Sequence, residues 1–197
     1  TLIALATRSE FDRIGRLHAL WGADQIIRRD AEVRELSLQK LRSLLREEDE
    51  VLRAAAAKVA GERLDSEAAP MLRDLLRDSS ARVQYFSLLA LAHLQDPDSF
   101  SRVVELLETN DNRDPALRHA GVMYLAGSRS PEKIVALHQH PNVNVRRAAV
   151  VALRRMKSTG ISRFLNDSNE LVLLEAVRAI HDEPIPSAMN ALADMIG

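Results

Sequence analysis

The sequence contains no cysteine, and that absence removes disulfide frameworks, thiolate zinc sites, iron–sulfur clusters, thiol nucleophiles and covalent c-type haem attachment. Aromatics make up only 4% of the 197 residues, with seven glycines and seven prolines, which argues against sandwiches and barrels built on aromatic strands and tight turns. Charge of one sign is missing too: 27 Lys and Arg face 28 Asp and Glu, a formal net charge of -1. Such a chain exerts no global pull on nucleic acid or an anionic membrane, so any basic patch has to be local. No apolar run nears the ~18 residues of a membrane-spanning helix, and Thr1 to Ala6 is too short for a signal-peptide core. What is present is a 46% hydrophobic chain rich in Ala, Leu, Arg and Glu, the composition of a helical globular protein. It starts without Met and in mid-pattern, which suggests a segment of a longer polypeptide.

Internal repetition then decides the fold class. Val145, Ala148, Ala149, Ala152, Leu153 and Met156 form one helical stripe after Pro141-Asn142. The stripe recurs as Val83, Phe86, Ser87, Ala90, Leu91 and Leu94, and as Leu117, Ala120, Gly121, Tyr124 and Leu125 after Asp114-Pro115. Further copies run Val51, Ala54, Ala55, Val59 after Asp49, and Val172, Ala176, Ala179, Ile180 after Asp167. Anchors at 51, 83, 117, 145 and 172 lie 32, 34, 28 and 27 residues apart, the period of helical-hairpin solenoids. Shorter amphipathic segments at Ser66–Arg77, Asp98–Glu108, Pro131–His138 and Gly160–Leu165 supply the other helix of each hairpin. Asp or Asn precedes most of the longer helices, and Pro97, Pro115, Pro131 and Pro141 stand where helices start. The expectation is an all-α, right-handed α-α superhelix of five to six hairpins, some eleven or twelve helices in one domain over 1–197. Small residues at the fourth step (Ala55, Ser87, Gly121, Ala149, Ala176) are explained by close helix packing rather than by catalysis.

The recurring Asp, then Val or Leu, often Arg, then spaced Ala and Leu resembles HEAT repeats, with a HEAT/armadillo-like solenoid implied over nearly the whole chain. Arg follows the anchor only at Arg118 and Arg146, with Leu52, Gln84 and Leu173 in the other copies, so the Asp-to-Arg ladder of many such stacks reads as incomplete. A narrower likeness is carried by Arg16-Leu17-His18-Ala19-Leu20-Trp21-Gly22, by Asp114 to Ala120, and by Glu175 to Asp182 with Pro184-Ile185-Pro186. These resemble the HEAT segment of large exported bacterial proteins of planctomycete and verrucomicrobial type, placed between a sorbosone-dehydrogenase-like β-propeller and a c-type haem domain. The resemblance implies a periplasmic or secreted scaffold or spacer that is not itself the enzyme.

Chemistry-bearing motifs are sparse. His138 and His140, two apart at a helix end, diverge and have no third ligand. No His-Glu pair of HEAT-repeat hydroxylases occurs, nor a glycine-rich phosphate loop or a Gly-x-Ser-x-Gly elbow. His181-Asp182-Glu183 reads as a helix terminus rather than an acid–base pair, and His18 reads as a packed histidine. No metal and no cofactor are expected.

The more informative surface is the face opposite the buried stripe. Steps 2 and 9 point away from it, at about 200° and 180°. They give Arg53, Tyr85, His119, Arg147 and Leu174, with Arg154 and His181. In HEAT stacks this row lines the concave side, and Arg with aromatics is the composition of binding hot spots. The expected function is a non-catalytic, monomeric module that contacts a protein partner or flanking domains through this row. The alternatives are a chromophore-lyase-like protein holding a pigment on that face and, further off, a DNA-binding array. Nucleic acid is disfavoured by the balancing Glu35, Glu47, Glu48, Glu50 and Glu62 and by the shortage of aromatics.

Overall fold

The computed structural model describes residues 1–182 and 185–196, with side chains through 194, and all its regular elements are helices. Glu183 and Pro184, part of the His-Asp-Glu and Pro-Ile-Pro phrases, lie outside the described residues. The fold is the all-α, HEAT/armadillo-like repeat arrangement expected from the period. The chain divides into two compact units, Thr1–Asp96 and Pro97–Gly197, and the division falls at a turn between helices.

The first unit holds α1 (Leu2–Thr7), α2 (Arg13–Arg29), α3 (Arg34–Leu41), α4 (Glu50–Glu62), α5 (Ala69–Asp74) and α6 (Ala81–Leu94). Its core is built from Leu20, Ile27, Leu44, Leu45, Leu52, Leu72, Leu88 and Leu91, all buried. Gly61 lets α4 meet α6: a Cβ there would stand 2.5 Å from the Ala90 Cα. On α2, Trp21 remains half exposed, edge to face with His18 at 5.4 Å between ring centroids.

The second unit holds α7 (Phe100–Asn110), α8 (Pro115–Gly127), α9 (Pro131–Ala136), α10 (Val143–Arg155), α11 (Glu170–Asp182) and α12 (Pro186–Ile196). Tyr124, Leu125, Ile134, Val145, Leu153, Phe164 and Ile180 fill its core. The shorter hairpin partners tighten into 3₁₀ turns. Leu75–Arg77 follows α5, Leu137–Gln139 follows α9, and Thr159–Asn166 is 3₁₀ throughout. There the three-residue period stacks Ile161 over Phe164 on the buried side. Pro115 and Pro131 occupy first helical positions, whereas Pro141 precedes the cap residue Asn142.

The N-caps set the register of the longer helices. Asp49, Asp114 and Asn142 each accept backbone N–H bonds from the residues two and three positions on. The buried anchor sits at that third position in each copy: Leu52, Leu117 and Val145, with Val83 after Ser80 and Val172 after Asn169. The first copy is therefore anchored by Leu52, not Val51. At the fourth step Ser87, Gly121, Ala149 and Ala176 are buried, and in the first copy Ala56 takes the place expected for half-buried Ala55.

Candidate functional site

Moving the first anchor by one residue changes what Arg53 does. Its side chain is 14% exposed, with Nε and Nη2 donating to the two oxygens of Asp78 at 2.8 and 2.9 Å, and Nη1 donating to the Glu47 and Glu48 carbonyls. Arg146, at the same step of its copy, donates to Asp167 at 2.7 and 3.0 Å and to the His140 and Pro141 carbonyls. Arg53 is thus a clamp between hairpins and not a member of an outward row. The residue in its expected place is Ala54, which is buried. A second set of pairs, Arg42 with Asp65 and Arg73 with Asp96, links the shorter helices to the turns after α4 and α6. The ladder that looked incomplete in sequence is present with other members.

Burial acts to raise the Asp167 carboxyl, but the Arg146 guanidinium and the Asn169 backbone N–H outweigh it and hold the group below the ordinary aspartate range. Asp24 moves the other way. Its burial outweighs Arg63, 2.8 Å away, and pushes it up.

The remaining row residues have separate fates. Tyr85, in the first unit, is half-buried, edge to face with Phe86 at 5.2 Å. In the second unit Leu174 and His181 are exposed. Arg154 reaches Asp182 at 3.5 Å, and His181 Nδ1 lies 3.3 Å from the same carboxylate. Arg154 and His181 thus meet on Asp182, whereas His119 and Arg147 share a depression. It measures about 300 Å³, lies between α8, α10 and α11, and is floored by Val122, Ala148 and Val151.

Sequence reasoning missed Asn112, Arg118, Asn144 and Glu175 in that lining, and Arg155 was legible only as one of four clustered arginines with Arg146, Arg147 and Arg154. Arg118 is tied to the Asn112 amide oxygen, and Asn144 Nδ2 donates to Asp111 at 2.8 Å. Hydrogen bonds from Asn144 and Asn142 hold the Asp111 carboxyl below its ordinary value. Arg147 differs from the clamping arginines. Its Nε is buried without a hydrogen-bond partner, a state that costs about 1–3 kcal/mol where water is excluded. A second depression, of about 390 Å³, adjoins through Val151 and Arg155 and is lined also by Arg154 and Lys157. The signal that points here is compositional. From residue 133 to 166 there is no Asp or Glu, against seven Lys and Arg.

The histidine pair does not converge: His138 Nδ1–H donates to the Val135 carbonyl, whereas His140 Nδ1 accepts from Asn142 N–H. Among the described residues no group of three His, Cys, Asp or Glu is placed to hold a metal, and no helix is long and apolar enough to cross a membrane.

Residues 38–115 match the family model of HEAT repeats. Over that span the sequence is similar to HEAT repeats. No curated protein matches it by sequence. Among solved structures it is similar to a HEAT-like repeats protein from the archaeon Thermococcus onnurineus NA1, with TM-score 0.59 and 15% identity over 99% of this chain and 86% of that one. It is similar also to the CpcE–CpcF complex of phycocyanin lyase from Nostoc sp. PCC7120, with TM-score 0.60 and 17% identity over 99% and 92%. A designed armadillo repeat protein in complex with the peptide (KR)4 gives TM-score 0.58 and 18% identity over 91% and 97%. At these identities the likeness is one of HEAT/armadillo fold alone.

Proposed function

We propose that this HEAT-type chain is a non-catalytic interaction module that docks a protein partner, or a flanking domain of the same polypeptide, on the cationic depression of α8, α10 and α11. The observation that carries this reading is the pair Arg147 and Arg155. Both line the depression, and neither forms a hydrogen bond or ion pair with the described residues. Arginines beside an apolar floor, rimmed by a histidine and amides, make a hot-spot composition. The likeness of Arg16–Gly22, Asp114–Ala120 and Glu175–Asp182 to exported bacterial proteins supports a role as scaffold or spacer in a larger periplasmic or secreted oxidoreductase-like protein. A pigment-binding surface calls for a deep apolar groove, and the arginine-rimmed depression speaks against it.

A photo-crosslinking residue at position 119, compared with one at exposed position 129, tests the reading in the cell that makes the protein. The expected result is a discrete protein adduct at 119, absent at 129, whose purified partner no longer binds Arg147→Ala combined with Arg155→Ala. Equal labelling from both positions sinks it.

A further inference from the structure

We infer that the depression between α8, α10 and α11 is a carboxylate pocket that takes an acidic peptide segment, anchored on Arg147 with Arg155 as the second contact. This rests on the docking reading above and names the chemistry of the partner. The chain shows how it treats its other sequestered guanidinium groups. Arg16 meets Glu47, Arg42 meets Asp65, Arg53 meets Asp78, Arg63 meets Asp24 and Arg146 meets Asp167. Arg63 Nε and Arg147 Nε are both buried without a well-aligned hydrogen bond, but Arg63 faces Asp24 at 2.8 Å whereas half-buried Arg147 faces no carboxylate of the described residues and is the departure from that pattern. A carboxylate supplied from outside completes it, because planar guanidinium and carboxylate groups pair through two parallel hydrogen bonds.

The surroundings select the same ligand. No acidic residue occurs from 133 to 166, and the acids that do reach α10, Asp167 and Asp182, are on Arg146 and Arg154 and not on Arg147 or Arg155. Val122, Ala148 and Val151 offer an apolar floor for the side chains between carboxylates. Glu175, the one acid in the lining, repels a ligand with a charge on every unit, so a nucleic-acid backbone fits less well than a peptide whose charges are spaced. Arg147 and Arg155 lie eight residues apart on α10, about 12 Å along the axis. In an extended strand that distance separates side chains about four residues apart. The favoured motif is therefore two acids with three residues between them, the central one, which shares their face of the strand, being apolar.

The test uses the full chain and the peptide Ac-Glu-Thr-Val-Thr-Glu-NH2, with the Gln-for-Glu peptide and a short oligonucleotide as controls. Titration is followed by calorimetry at low salt and by the side-chain Nε–H resonance of Arg147. The acidic peptide should bind and move that resonance, and the Gln peptide should not. Arg147→Met should weaken binding at least tenfold without lowering the thermal melt, whereas Arg163→Met, away from the pocket, should leave binding unchanged. A peptide that leaves the Arg147 resonance in place at millimolar concentration overturns the proposal. So does binding indifferent to Arg147→Met, or an oligonucleotide that binds more tightly than the peptide. The two readings fail separately. A partner crosslinked at 119 that binds Arg147→Met normally keeps the docking surface and removes the carboxylate pocket. Peptide binding without a crosslinked protein does the reverse.

Discussion

Arg53 and Arg146 do the same work at equivalent steps of their copies, each joining the carboxylate of a following turn to the carbonyls of the turn before its own helix. Only Arg146 was legible as a ladder residue. Val51 and Leu52 are both apolar, so hydrophobicity alone did not decide which anchors the copy; the offset from Asp49 does. His119 and Arg147 were found because the depression lies partly along the face that periodicity marks. Arg118, Arg155 and Glu175 sit at neighbouring angles on facing helices, and packing rather than period brings them together. Removing one partner of a largely buried pair leaves an uncompensated charge, so Arg146→Met should cost about 3 kcal/mol in chemical denaturation. Arg53→Met should cost a similar amount, in contrast to the near-neutral change expected of a solvated row residue. Asp167 has its folded pKa depressed, so its stabilisation is present above the ordinary aspartate pKa and is lost as pH falls through the folded value. Asp167→Asn should accordingly be less stable than the parent at pH 7, with the difference narrowing in melts taken below about pH 4.

At the scale of helices and turns, the hairpin period, the caps and most helix spans could be read directly, whereas the turn chemistry could not. The left-handed positions that end helices belong here to Leu64, Gln95, Asp111, Arg129 and Lys157, with φ between 42° and 55°. The usual glycine signal is therefore missing. Their closing bonds remain: Asp65 N–H to the Ala60 carbonyl, Asp96 to Leu91 and Ser158 to Leu153. Leu64 is exposed as well as left-handed, so Leu64→Gly should raise stability by about 1 kcal/mol, read as a higher denaturation midpoint with unchanged slope. Gly61→Ala should do the opposite despite the better helix propensity of alanine. The added methyl meets the Ala90 backbone, which cannot swing aside as a side chain would. A loss of about 1–3 kcal/mol is expected, and a neutral result would mean that α4 and α6 stand farther apart.

For the molecule as a whole, composition and period were enough for an all-helical repeat fold, because each hairpin packs mostly on its sequence neighbours and leaves the same stripe in every copy. The two compact units carried no such mark, since no run of Gly, Pro or Ser separates them; the division falls at Asp96 and Pro97. Ala149 is fully enclosed in the second unit, and Ala149→Leu should cost about 1 to 3 kcal/mol by overpacking. Hydrogen exchange should show the loosening in α8, α10 and α11, the helices that pack around it. The scarcity of aromatics has an optical corollary. Trp21 is the single tryptophan and belongs to the first unit, half exposed beside His18, while Tyr124 is the one tyrosine of the second and is enclosed. Tryptophan emission therefore follows α2 and its surroundings, and once Tyr85 of the first unit is replaced by phenylalanine, near-ultraviolet dichroism of tyrosine follows α8. Each half of the chain thus carries its own intrinsic chromophore, so their melting can be timed separately without a label.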